Sequence, residues 1–278
     1  MQIRPVEKTV LAQATSDGAG VSLNRSLGTA VLDALDPFLL LDEFRSDDSA
    51  DYIGGFPDHP HRGIETVTYM LAGAMGHGDN QGNTGKLRPG DVQWMTAGRG
   101  IIHSEMPEQE EGLMWGFQLW VNLAAKEKMR DPRYQEIKSA DIPTVVRDDG
   151  VSVRVIAGEV DGTVGAVMEI EVDPTYLDVA VPPGAEFVHP LPAGHNAFCY
   201  VFEGSAVIGE GNPPTSRGTL VVLGPGDAAR IAGGTEPARV LLIAGRPHNE
   251  PIVKYGPFVM NTPEEIVQAI DDFQAGRF

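Results

Sequence analysis

Two short segments carry residue types and spacings that can do chemistry. His59-Pro60-His61 places two imidazoles at i and i+2, which an extended chain turns to one face. His103-Ser104-Glu105 repeats that spacing with an imidazole and a carboxylate. On neighbouring antiparallel strands the two pairs would converge on one ion from facing sides. Three neutral imidazoles and one carboxylate suit Fe, Mn, Ni, Co, Cu or Zn, and a four-ligand set leaves positions open for water or substrate. A lone H-x-H is ordinarily surface decoration. The second pair, in a chain whose seven histidines otherwise lie apart, is what makes the pattern chemical. Glu65 follows His61 by four residues and shares the parity of His59 and His61 if the strand is regular. Spacing therefore allows either Glu65 or Glu105 as the fourth ligand.

The elements that must position these residues read as short strands. The 33 Gly and 21 Pro bracket runs rich in Val, Ile, Leu and Tyr, the signature of a sandwich or barrel. Thr66–Leu71, Asp91–Met95, Val151–Ile156, Val164–Val172, Ala197–Phe202, Ala206–Ile208, Thr219–Leu223 and Arg239–Ile243 are read as strands. Leu113–Leu123 is apolar on both faces and reads as a buried strand, with Gln118 as its polar exception. One helix is clearly signalled: Thr262-Pro263-Glu264-Glu265 is a capping box with proline at the first helical position. Ile266, Val267, Ile270 and Phe273 follow at helical spacing and Gly276 ends it. Ala124–Met129, before Asp131-Pro132, is a second and weaker helix candidate.

The chain also repeats itself. Tyr69-Met70-Leu71-Ala72-Gly73 is echoed by Tyr200-Val201-Phe202-Glu203-Gly204. Leu87-Arg88-Pro89-Gly90-Asp91 is echoed by Leu223-Gly224-Pro225-Gly226-Asp227. Two signposts in the same order, roughly 130 residues apart, indicate duplicated β domains joined near residues 130–150. The length of 278 residues suits two such domains. With 21 Lys+Arg against 39 Asp+Glu, the net charge of −18 argues against direct nucleic-acid binding. One cysteine, Cys199, excludes an intramolecular disulfide framework. No apolar signal segment opens the sequence, and no run approaches a membrane span of about 20 residues, so a soluble cytoplasmic protein is expected.

The stretches 59–69 and 88–105, read together, closely resemble the pirin family of bicupins. The resemblance continues through Asp36–Asp42, Gln118–Leu123, Gly194–Phe198 and Gly256–Thr262, and so covers nearly the whole chain. It implies an all-β fold of two tandem double-stranded β-helix (cupin, or jelly-roll) domains with a short C-terminal helix. The division that follows is an N-terminal metal-binding cupin over 1–135, a metal-free cupin over 136–250, and a closing segment 251–278 that returns to the N-terminal domain. By the same resemblance the ligands are His59, His61, His103 and Glu105, and the metal is a divalent transition metal, Fe(II) in the first place. Mn, Ni, Co, Cu and Zn remain compatible. Glu65 then becomes a supporting or structural residue. The second half lacks the equipment: His195 stands where a first histidine is expected, but Ala197 takes the next position on its face. Ala228–Thr235 holds no His, Glu or Cys.

Some pirins open flavonols such as quercetin with O₂, which implies a small aromatic substrate and a role for Glu105 as ligand and general base. Others act as regulators that bind a protein partner, a metabolic enzyme or transcription factor. The remaining polar residues are assigned blander roles. His77 reads as a solvated loop histidine and Gln118 as either a ligand-orienting group or a satisfied core amide. Arg62 and Arg99 are expected to fix loops through carbonyls, and Cys199 to be inert core. His189 and His248 lie beside prolines in loops and carry no functional expectation.

Overall fold

The computed structural model describes residues 1–278. The β-branched and aromatic runs form antiparallel strands, and these sort into two units with the same internal plan. The unit bearing the histidine pairs has a seven-stranded sheet in the order Arg133–Ile137, Val92–Thr96, Ile64–Ala72, Met114–Asn122, Phe38–Ser46, Val21–Leu27, Gln13–Asp17. Its four-stranded sheet runs Phe56–His61, Ile101–Pro107, Met75–Asp79, Thr84–Leu87. The sister unit has a seven-stranded sheet in the order Val6–Leu11, Thr219–Leu223, Asn196–Glu203, Ala238–Gly245, Thr175–Val181, Ser152–Ala157, Thr144–Val146. Its second sheet runs Glu186–Pro190, Ala228–Gly233, Ser205–Ile208, Thr215–Ser216. These are two cupin domains, and the one helix, Pro263–Gln274, is neither long nor apolar enough to cross a membrane.

Matching the strand orders corrects the reading of the repeat. Ile64–Ala72 corresponds to Asn196–Glu203, and each is followed by a glycine in the left-handed region, Gly73 and Gly204. That signpost is in register. The other is one hairpin out, because Pro89-Gly90-Asp91 leads into Val92–Thr96 whereas Pro225-Gly226-Asp227 follows Thr219–Leu223, the counterpart strand. The boundary at 135/136 also differs from the observed division. Residues 1–13 and 29–37 group with 140–247, while 14–28, 38–139 and 248–278 group together. The cause is pairing: Val6–Leu11 completes the edge of the sister sheet against Thr219–Leu223, a place that Arg133–Ile137 fills in the ligand-bearing unit. Strands close in sequence usually pair, but an N-terminal extended segment can join a distant edge, as Val6–Leu11 does here.

Two expected elements fail. Val164–Val172 is not a continuous strand: Thr163–Val164 pairs with Glu159–Val160, Val167 makes an isolated parallel bridge to Ala157, and Glu169 adopts a positive φ of 59°. Gly165 there lies so close to the Ala157 backbone that a Cβ would sit 2.8 Å from its Cα, so the segment folds back instead of extending. Ala124–Met129 makes a single turn, with Glu127 and Lys128 N–H groups donating to the Ala124 carbonyl. The helix at the C-terminus is capped as its sequence indicates. Thr262 Oγ1 accepts from Glu265 N at 3.2 Å and Glu265 Oε2 accepts from Thr262 N at 3.0 Å. Ile266 and Ala269 bury against Phe258 and Met260, whereas Val267 stays exposed.

This closing segment is docked by Lys128. The side chain is buried, and its ammonium donates to Gly63 O at 2.9 Å, Val259 O at 2.9 Å and Asn122 Oδ1 at 2.7 Å. Gly63 is the turn directly after His61, and its Cβ position is occupied by the Val259 carbonyl, 2.0 Å away. One cation thus ties the turn that ends the first histidine strand to the segment containing Pro257. Lys128→Met removes the donor and leaves three buried acceptors without it. A loss of about 3 kcal/mol is expected, read as a lower urea midpoint for the transition that includes this unit. A loss below about 0.5 kcal/mol would show that water replaces the ammonium freely.

Candidate functional site

Phe56–His61 and Ile101–Pro107 pair antiparallel, with His103 opposite His59 and Ile101 opposite His61. Because side chains alternate, His59, His61, His103 and Glu105 all turn to the inner face. The three imidazoles meet with ring centroids 4.4 to 5.2 Å apart, and one nitrogen from each lies within 4.8 Å of the others. His59 Nδ1 is engaged by the Pro57 carbonyl at 2.8 Å, which leaves Nε2 for other use. His61 Nδ1 and both nitrogens of His103 are buried with no hydrogen-bond partner. Burial, and then the neighbouring His103 and His59, hold His61 well below the usual histidine range. Burial and His59 likewise lower His103 to about 3. Neutral imidazoles with unused lone pairs, gathered around one point, are a donor set fitted to a divalent metal.

Glu105 stands beside this triad rather than within its tight radius. Its carboxylate is held from the sheet opposite. Thr68 Oγ1 lies 2.9 Å from Glu105 Oε1 and 2.6 Å from Gln118 Oε1, and Gln118 Nε2 donates to Glu105 Oε2 at 3.3 Å. A hydroxyl has one proton to give, so Thr68 serves one of its two oxygens at a time. Sequence reasoning missed Thr68 altogether. Gln118 lines the cavity beside Glu105, and its amide is hydrogen-bonded to Thr68 and Glu105.

Glu65 is excluded from the cluster by strand parity. The turn at Arg62-Gly63 separates it from His61, and on Ile64–Ala72 it takes the face opposite Thr68. There it accepts from Trp94 Nε1 at 2.9 Å and Thr96 Oγ1 at 2.7 Å, and burial raises its pKa. His77 is not a solvated loop residue. It is buried on Met75–Asp79, stacked near Tyr134, with its Nε2 against the Glu136 carboxylate. Arg62 Nε donates to the Arg99 carbonyl and its Nη1 to Asp272, while Arg99 pairs with Asp131 at the surface. His248 contacts the Asn122 carbonyl through Nε2 at 2.9 Å. Cys199 is buried, and desolvation pushes its thiol up, away from reactivity.

The cavity leading to the site has a volume of about 410 Å³ and is lined by Leu23, Leu40, Phe44, Phe56, Pro57 and Trp120, with His59, His61, Glu105 and Gln118 also on its wall. Arg25, Asp42 and Asp17 line it as well. Cross-strand register explains the polar groups: Arg25, Asp42, Gln118, Thr68, Gln93 and Glu136 form one continuous row across five strand pairings of the inner face. Asp42, at the end of the apolar run Phe38–Leu41, is the member whose sequence context could have exposed the row.

The sister unit keeps the strands and loses the ligands. Its strand Glu186–Pro190 places His189 opposite Ala229, as His59 lies opposite His103. Leu191, Ala229 and Ile231 then occupy the places of His61, His103 and Glu105, all in the apolar core. The counterpart of the first histidine is therefore His189, not His195, whose strand Asn196–Glu203 matches Ile64–Ala72. Burial lowers His189 to about 4.

Comparison with known proteins accords with both halves. The pirin family model matches residues 20–121, and the model of the pirin C-terminal cupin domain matches 176–278. A pirin-like protein of Caulobacter vibrioides is 53% identical over 279 residues, covering 100% of each chain. Pirin of Homo sapiens is 48% identical over 276 residues, covering 98% of this chain and 92% of its own. The crystal structure of a quercetin 2,3-dioxygenase from Acinetobacter baumannii superposes with a TM-score of 0.91 at 34% identity, covering 99% and 98% of the two chains. With the paired cupin sheets, one ligand-bearing and one filled, the chain belongs to the pirin family of the cupin superfamily.

Proposed function

We propose that this protein is a metal-dependent dioxygenase that opens flavonols such as quercetin, with His59, His61, His103 and Glu105 as the ligands of one divalent metal, iron foremost. The observation that carries the reading is the meeting of an apolar cavity of about 410 Å³ with three clustered imidazoles, among them His61 and His103 with buried nitrogens that have no hydrogen-bond partner, and a carboxylate. The 34%-identical structure described as a quercetin 2,3-dioxygenase supports it. When bound, a redox-active divalent ion supplies a Lewis acid for an enolate oxygen and a route for electrons to O₂.

The chain's own residues supply the rest. Glu105 lies on the cavity wall and is the group assigned to accept the proton of a bound flavonol's 3-hydroxyl. Thr68 and Gln118 keep the carboxylate oriented for this transfer. Leu23, Leu40, Phe44 and Trp120 exclude water from the substrate and flank its flat face. His61 packs edge-on against Trp120 at 5.0 Å, which joins the ligand set to the apolar wall.

Two measurements test the reading. Quercetin absorbance should decay under air and not anaerobically once iron is loaded, and Glu105→Gln should cut the rate by about 10²-fold or more at full metal content. Normal turnover by that variant would remove the base role, and no decay with any of iron, manganese, nickel, cobalt or copper would remove the dioxygenase reading. The ligand role has an acid signature. Unfolded histidine takes up a proton near pH 6.5, but His103 in the native chain resists protonation down to about 3. The unfolded state thus binds more protons between those values, and metal-free protein loses stability as pH falls below 6.5. The slope is about 1.4 kcal/mol per pH unit for each such imidazole. The metal-free protein should melt earlier at pH 5.5 than at pH 7.5, with a smaller difference in His103→Gln. An unaltered acid sensitivity in that variant would mean that other groups set it.

A further inference from the structure

The cavity has a second polar end. Two strands away from Gln118, across Phe38–Ser46, Arg25 projects from Val21–Leu27 onto the cavity wall, a separation of about 10 Å at two strand spacings. Leu23, Leu40 and Phe44 line the wall between. Arg25 Nε and Nη2 donate to Asp42 at 2.8 and 2.7 Å, and Nη2 also donates to Asp17 at 3.0 Å. Nη1 takes no hydrogen bond, which leaves one arm of the guanidinium unused beside the cavity. Asp42 is almost fully buried, Arg25 is 23% exposed and Asp17 55% exposed, so the pair is anchored inside and open toward the mouth.

The fold does not require this ion pair. The counterpart strands of the sister unit, Ser152–Ala157 and Thr175–Val181, close the same kind of barrel with Val153, Val155, Leu177 and Val179 turned to the core. A buried pair generally adds little stability over such apolar packing, which leaves this one, at the wall of a ligand cavity, free to serve recognition.

We propose that Arg25, with Asp42 and Asp17, is the specificity element for the far end of the substrate and selects an aromatic ring bearing free hydroxyls. A phenolic hydroxyl is both acceptor and donor: its oxygen accepts from Arg25 Nη1 while its proton goes to a carboxylate oxygen of Asp17. An ether oxygen satisfies only the arginine. A carboxylate is rejected, because the element holds one guanidinium against two carboxylates and is net negative. A ring with no substituent leaves the donor unpaired as the ring covers it. This inference rests on the flavonol reading for the orientation of the inner end.

Its test reads binding rather than turnover. Metal-loaded protein is titrated anaerobically with three flavonols that differ only in the aryl ring carried on C2: dihydroxylated (quercetin), unsubstituted, and carboxylated. Quercetin should bind about 10-fold tighter than the unsubstituted compound, and the carboxylated one weakest of all. The double variant Arg25→Met/Asp42→Leu, which exchanges the pair for packing of the sister unit's kind, should bring the first ratio close to one. Asp17→Asn, at an exposed position with little bearing on folding, should relieve the rejection of the carboxylate several-fold. Affinities within twofold of each other in the parent protein, or discrimination that survives both variants, would overturn the proposal. The two readings fail separately. Flavonols bound with this discrimination but never opened would sink the dioxygenase alone, and flavonols opened but bound without discrimination would sink the distal element alone.

Discussion

Three imidazoles gathered inside a barrel, with one nitrogen of each within 4.8 Å of the others, set the terms for the rest of this unit. Burial disfavours the charged form of His61 and His103, and that burial comes from the strands around them. The antiparallel register of Phe56–His61 with Ile101–Pro107 delivers the rings to one point. The turn at Gly63 then takes the chain away, and Lys128 clamps that turn to the closing segment whose Pro257 lines the cavity. A cluster with unused lone pairs at the end of an open cavity is costly as a structural device and useful as a metal centre.

The duplicated architecture provides an internal control for that statement. Both units pair the same strands in the same order, yet in the sister unit the ligand positions hold His189, Leu191, Ala229 and Ile231. One imidazole survives, stacked on Phe187 at 5.6 Å, as an aromatic side chain among apolar ones. The fold tolerates either filling, so the histidine cluster is not there to make the barrel.

Much of this was legible in the sequence because the period of two is a strong constraint. H-x-H and H-x-E can point one way only if the chain is extended, and the strands around Thr66–Leu71, Asp91–Met95 and Leu113–Leu123 were marked by their β-branched and aromatic residues. What stayed hidden depended on contacts between distant segments. Glu65 has the right parity relative to His61 only if no turn intervenes, and Gly63 breaks that assumption. His77 sits between glycines, a loop-like context, but its strand is covered and its partner Glu136 comes from a strand that begins more than fifty residues later. The exchange of edge strands, by which Val6–Leu11 joins the sister sheet, leaves no local trace at all.

The polar row across the inner face shows why a cavity rather than a core occupies the ligand-bearing barrel. Arg25, Asp42, Gln118, Thr68, Gln93 and Glu136 lie side by side on successive strands, and each needs a hydrogen-bond partner that apolar packing cannot provide. They find partners in one another and in residues of the facing sheet: Asp42 in Arg25, Gln118 and Thr68 in Glu105, Glu136 in His77. Satisfied in this way, the row holds the two sheets in register around a space that the sister unit fills with Leu177, Val179 and Ile231. Filling that space in the ligand-bearing unit would bury these groups against carbon and strand the carboxylates, so the row both builds the cavity and keeps it open.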